Sequence, residues 1–269
     1  MKYALINGEK TEAVKGAKGL CPSCGSELVA RCGETNVNHW AHKGSRNCDP
    51  WWENETDWHR SWKDIFPKEW QEIIHTDQES GEKHIADVKT DSDWVLEFQH
   101  SHINPEERVS RNSFYPKLVW VIDGVRRQRD KPNFHRILEE FFLGSEDPRF
   151  KRIFGQDDCR LIKEWHNSDA LVFLDFQEVD KDNQPIIWFL FPQIADEAYL
   201  WPINRFEFIE WHKNNKFDEV VEKTISPFIT KLKTKLIHDE KIKAAMEETK
   251  RRERETRMNW LFGKRRGRF

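Results

Sequence analysis

The pattern of apolar and polar positions changes character three times along this chain. Residues 1–50 are rich in Gly, Cys and His and poor in large apolar side chains, which predicts a small unit that needs a metal to hold its shape. From Trp51 to Phe66 the period becomes helical, with Trp58, Trp62, Ile65 and Phe66 on one core-facing stripe. Residues 71–75, 84–89, 94–99 and 118–123 (QEIIH, HIADVK, WVLEFQ, LVWVID) read as strands, the first three joined by polar turns such as ESGEK and TDSD. Between the third and fourth, Asn104 and Pro105 start a helix bearing Arg108 and Arg111. Helix, meander, helix, strand is an α/β layout.

Beyond a segment around 134–143, a second strand-rich stretch follows as ALVFLDF, IIWFLF and AYLWPINRFEFIEWH. The last holds Pro202 and is therefore bent or at a sheet edge. From Phe217 the composition is helical and ends in KRRERETRMNWLFGKRRGRF, an extended helix or a disordered arm.

Composition narrows the class. Of the 269 residues 37% are hydrophobic and 34% charged, and 13 Trp with 18 Phe make a core that leans on aromatics. No apolar run is long enough to span a bilayer and the first residues lack the core of a secretion signal, so we expect a cytoplasmic protein without a membrane partner. The net charge of −3 hides polarity: residues 250–269 carry nine Lys/Arg against two Glu, a net +7, leaving −10 on the first 249. Such a tail either meets phosphates or solubilises the C-terminus.

Four of the five Cys fall between Cys21 and Cys48. Cys21-Pro-Ser-Cys24 followed by His39-Trp-Ala-His42 sets two ligand pairs about fifteen residues apart, a spacing suited to a closed, structural Zn²⁺ shell. Cys32 and Cys48 are alternative members of that shell. A redox dithiol would need a βαβ context, and a zinc deaminase has the opposite motif order.

In WVLEFQ, alternation puts Glu97 and Gln99 on one face, and a short TDSD turn brings Asp87 of HIADV alongside. Two converging carboxylates suit Mg²⁺ or Mn²⁺ and the hydrolysis of phosphodiesters. Glu55, His59 and Lys63, at i, i+4 and i+8, form a polar stripe. His59 on it is a candidate acid/base or phosphate-orienting group, although such stripes are also common on solvated helices. Asp175-Phe-Gln177 echoes Glu97-Phe-Gln99, which strand composition accounts for.

In order along the chain, Cys21 to His42, Glu53-Asn-Glu55-Thr-Asp-Trp-His59-Arg-Ser-Trp-Lys63, His84-Ile-Ala-Asp87-Val, Glu97-Phe-Gln99-His-Ser101, Arg108 to Tyr115 and Trp120-Val-Ile-Asp123 resemble the CoiA-like competence protein family. That family looks like a branch of the PD-(D/E)XK nuclease superfamily. The resemblance covers about residues 1–125. It implies a restriction-endonuclease-like mixed sheet flanked by helices; together with the pattern above, the chain divides into a zinc module at 1–50, a nuclease core at 51–145, a C-terminal α+β subdomain at 146–249, strand-rich then helical, and a basic tail at 250–269. It makes Asp87 and Glu97 ligands of a catalytic Mg²⁺ or Mn²⁺, sets Gln99 in the place of the superfamily's Lys, and puts Glu55 and His59 in the active-site helix. Ser101, Arg108 and Arg111, with Lys63, are the expected nucleic-acid contacts. Gln99 is neutral where most of the superfamily is cationic, and His84 stands where the branch more often has Arg.

The expected activity is a divalent-metal-dependent nuclease acting on DNA in transformation, recombination or defence, with proteins of those processes as candidate partners. The alternative is a non-catalytic, zinc-containing adaptor that binds nucleic acid.

Overall fold

A computed structural model describes all residues except 34–36, 45–54, 78–80, 82, 145–146, 155–157, 195–196 and 267–269, and it divides into two units, Met1–Asp218 and Glu219–Phe269.

The N-terminal residues build a five-stranded antiparallel sheet that their thin apolar pattern did not announce. Strands β1 (Tyr3–Ile6), β2 (Glu9–Glu12), β3 (Lys18–Leu20), β4 (Glu27–Arg31) and β5 (His39–His42) lie in the order β2-β1-β3-β4-β5. Asn7 and Gly8, both at positive φ, close the first hairpin, as a two-residue turn between right-twisted strands requires. A small core of Ala4, Ala13, Leu28 and Trp40 forms beneath it, and Trp40 Nε1 donates to Thr11 O at 2.8 Å.

The second sheet has eight strands in the order β10-β13-β12-β11-β9-β8-β7-β6. Helix α1 (Asp57–Lys63) begins where the Thr56 hydroxyl accepts the His59 amide. It is followed by the antiparallel meander β6 (Gln71–Thr76), β7 (Lys83–Lys89) and β8 (Val95–Gln99). Helix α2 (Pro105–Phe114), capped by Asn104 with Pro105 in its first turn, returns the chain to β9 (Leu118–Asp123), parallel to β8. This is the order read from the pattern. The helix expected over 51–66 is described only from Asp57 and stops at Lys63, while residues 51–54 lie outside the described part.

The chain continues through α3 (Asp130–Glu140), β10 (Lys151–Phe154), α4 (Arg160–Trp165), β11 (Leu171–Val179), β12 (Pro185–Leu190), β13 (Glu197–Asn204) and α5 (Arg205–Lys213). The strands expected in a subdomain from residue 146 extend the same sheet, because β11 lies parallel to β9. AYLWPINRFEFIEWH divides into β13 and α5 at Asn204, whose side chain accepts the amides of Phe206 and Glu207. Pro202 fits because β10 pairs with β13 only at residues 197–200, so the missing amide breaks no ladder on that side.

Trp120, Phe134, Trp165 and Phe176 fill the face under α3 and α4. On the other face Trp62 of α1 stacks on Phe98 at 5.5 Å, and Phe208 of α5 meets Phe173 at 4.7 Å. Each fully buried indole removes roughly 200 Å² from water, on the order of 5 kcal/mol, which explains why a Trp-rich chain folds around these positions.

After α6 (Phe217–Val220), the second unit runs through a π-helical turn at Val221–Ile225 into α7 (Ser226–Arg266), a helix of 41 residues. The basic C-terminal stretch is thus helical as far as Arg266. No helix among the described residues is long and apolar enough to cross a membrane.

Candidate metal centre and carboxylate site

Cys21 and Cys24 lie in the turn between β3 and β4. The turn is folded back by the Cys21 amide donating to Ser26 O (2.8 Å) and the Gly25 amide to Cys21 O (2.9 Å), with Gly25 at a φ of +72° that side chains disfavour. β5 pairs with β4 in a register that sets His42 opposite Leu28, and His42 Nε2 comes 3.4 Å from Cys24 Sγ. The ligating atoms of Cys21, Cys24 and His42 all lie within 4.8 Å of one another. Two thiols and an imidazole are a donor set for zinc. Burial raises the Cys21 thiol. In Cys24 burial also opposes ionisation, but hydrogen bonds with Ser26 and His42 outweigh it and bring the thiol to about 6, so a thiolate is available at neutral pH.

His39 is not part of this group, which corrects the expected ligand set. Three positions from His42 along a strand, it projects from the opposite face, and its Nδ1 lies 2.8 Å from Val37 O. Cys32 donates instead to Ala13 O at 3.6 Å, and Cys48 lies outside the described residues.

The two carboxylate residues stand where β7 and β8 adjoin. Their ladder pairs Val88 with Leu96 and Lys89 with Val95, and Asp87 and Glu97 are the next positions beyond it, where the strands part. The Asp87 amide lies 3.4 Å from Glu97 Oε1, while Asp87 Oδ2 accepts the Phe98 amide (3.0 Å) and lies 2.8 Å from His59 Nε2. Glu97 Oε2 takes Arg111 Nη1 from α2 at 3.0 Å. Lys63 sits 2.8 Å from Glu55, 2.9 Å from Glu72 and 3.9 Å from Asp87, and Glu55 also holds Arg60 at 2.7 Å.

Burial penalises these carboxylates, yet the cations outweigh it. Glu55 falls to about 2 beside Lys63 and Arg60; Asp87 falls beside His59 and Glu72 beside Lys63. Against its own desolvation, Lys63 is held charged by Glu72, Glu55 and Asp87. Of the charged groups in this centre Asp87 has the most open side chain, at 16% exposure.

The structure therefore brings Asp87, Glu97, Glu55 and His59 into one buried centre. Gln99 is buried at its margin, its Nε2 donating to Ser101 O at 3.1 Å. The expected nucleic-acid contacts are placed differently. Lys63 and Arg111 are buried in ion pairs, Ser101 is exposed, and Arg108 lies over the Trp165 ring at 5.2 Å and bonds Asn167 at 3.0 Å. Arg108 also lines a pocket of about 250 Å³ with Arg126 and Lys163.

Glu72 went unnoticed within the strand QEIIH. At a φ of +48° it accepts the amides of Lys2 (2.6 Å) and Tyr3 (2.9 Å) as well as Lys63, tying β1 to β6. Such a conformation persists where surrounding bonds over-determine it. Asp123 and Asp175 form the last rung of the parallel ladder between β9 and β11, with His100 Nδ1 2.7 Å from Asp123 Oδ2.

No curated protein and no solved structure matches the chain. Residues 5–50 match the family model described as the N-terminal domain of competence protein CoiA, a stretch that runs from within β1 through β5 and includes the Cys/His group. Over residues 5–50, therefore, the chain is similar to the N-terminal domain of the CoiA-like competence proteins.

Proposed function

We propose that the protein is a divalent-metal-dependent nuclease that cuts phosphodiester bonds of DNA in competence-related DNA processing. The family match supports the process, and one relationship carries the activity: Asp87 and Glu97 adjoin at the parting of β7 and β8, with His59 bound to Asp87. Two hard carboxylates fit Mg²⁺ or Mn²⁺, and such an ion, when bound, acidifies a water and offsets charge on the phosphate. His59 holds the Asp87 carboxylate in place. Arg111 supplies Glu97 with the positive charge that Gln99 lacks. Asp87, as the most open member, is where a strand has access.

Incubation with single- and double-stranded DNA in Mg²⁺ or Mn²⁺, beside Asp87→Ala and Glu97→Ala, tests the proposal. Cleavage by the wild type alone is expected, and equal cleavage by all three proteins overturns it.

A second reading, a non-catalytic nucleic-acid-binding adaptor, draws on the fact that these carboxylates are already engaged by His59, Lys63 and Arg111. It predicts salt-sensitive DNA binding, lost on deleting residues 250–269, with no metal-dependent turnover.

A further inference from the structure

A pocket of about 480 Å³ opens between α1, the end of β11 and the start of α5, with Asp57, Trp58, Asp175, Gln177 and Arg205 on its wall. It lies at the C-terminal end of the parallel strand β11, the edge at which open α/β sheets take ligands. Arg205 lies over the Trp62 ring, 4.0 Å from its centroid, and its Nε is buried without a hydrogen-bond partner. Among the described residues no ion pair or hydrogen bond engages this guanidinium.

The nearby Asp175 is not its counter-ion. Asp175 Oδ2 accepts the indole N–H groups of Trp58 (3.0 Å) and Trp62 (2.9 Å), and Oδ1 accepts the Gln177 amide (2.9 Å). Those bonds fix both indoles, and Trp62 in turn supports Arg205 as a flat, uncommitted cation. Gln177 adopts a φ of +50° where the β11–β12 register slips between Leu174 and Glu178. Bulges and left-handed residues of this kind gather at ligand sites. Asp57 is exposed at the rim and offers a carboxylate acceptor.

We propose that this pocket receives an unstacked nucleobase, laid against Arg205 with its amino group toward Asp57. Guanidinium planes and aromatic rings stack on bases, and carboxylates accept from the exocyclic amine of cytosine. A bare phosphate is disfavoured because Asp57, Asp175 and Glu178 surround the single Arg205. The pocket adjoins the carboxylate centre: Trp58 precedes His59 on α1, and its ring lies 6.3 Å from that of His100, which follows Gln99. The inference rests on the nucleic-acid reading above and adds that the strand handled there is single-stranded or locally unpaired.

Calorimetric titration of the full chain without divalent metal tests it, using cytidine 5′-monophosphate, ribose 5-phosphate and a short cytosine-containing single-stranded oligonucleotide. The nucleotide, the oligonucleotide or both bind, ribose 5-phosphate does not, and Arg205→Lys, which keeps the charge but loses the plane, weakens binding about tenfold. Asp57→Asn, an exposed change, lowers affinity for the cytidine ligand relative to its uridine counterpart. Binding of the oligonucleotide alone identifies a strand as the source of the base; binding of the mononucleotide alone identifies a free nucleotide. Equal binding of ribose 5-phosphate, binding of no ligand, or unchanged affinity in both variants overturns the proposal. Asp87→Ala retains this binding, so loss of the nuclease reading is separable from loss of the pocket.

Discussion

Arg111 Nη1 lies 3.0 Å from Glu97 Oε2, so the carboxylate that β8 contributes to the centre is balanced by the helix that follows it in the chain. Both side chains are buried. Arg111→Met takes the guanidinium away from the buried Glu97 carboxylate and is expected to cost about 3–5 kcal/mol, read as a lower denaturant midpoint. The double variant with Glu97→Gln recovers most of that loss. A single variant as stable as the wild type would show that the pair carries no such balance.

The Cys/His group makes a sharper forecast about which histidine matters. Purified protein is expected to carry zinc, and Cys24→Ser or His42→Ala lowers the metal content by at least half when measured by elemental analysis. His39→Ala leaves it unchanged, because that ring faces Val37 O. Equal metal loss from His39→Ala and His42→Ala would refute the geometry.

His212 has a definite pH signature. It is fully buried against Phe208 (4.7 Å) and Phe217 (4.1 Å), neither ring nitrogen has a hydrogen-bond partner among the described residues, and burial pushes it down to about 3. The unfolded ring titrates near 6.5, so the unfolded state binds more protons between about 6.5 and 3 and stability falls as pH drops through that window. The slope is about 1.4 kcal/mol per pH unit. His212→Phe removes about 2 kcal/mol of the difference between pH 6.5 and 5 in chemical denaturation.

Glu55 acts in a lower window. Its folded value of about 2 lies below the ordinary 4.5, so the stability it lends is present above about pH 4.5 and is lost as pH falls toward 2. The full effect is roughly 3 kcal/mol. Glu55→Gln should destabilise at pH 7 while flattening the acid limb below pH 4.5; an unchanged acid limb would exclude Glu55 as a source.

Much of the architecture was legible in local pattern. Period-two runs located β6 to β9, Asn104-Pro105 marked the start of α2, and the helix, meander, helix, strand order followed. The Trp and Phe abundance read as core, and Trp40, Trp62, Trp120 and Trp165 are all buried. The spacing of Cys21, Cys24 and His42 was equally visible, because a tight turn and one adjacent strand suffice to gather them.

What the sequence by itself determined, then, is which residues are strand, helix and turn, and which chemical groups stand near one another through short connections: Asp87 with Glu97, Cys21 with Cys24. What only the tertiary structure decided are the relations between distant segments. These are Arg111 on Glu97, Glu72 on the amides of Lys2 and Tyr3, the joining of β11 to β9 in one sheet, and the bare Arg205 on Trp62 beside Asp175. Local periodicity records which face of an element is apolar, but the partner of a buried charge is selected by desolvation across the assembled fold. That selection leaves no spacing to read along the chain.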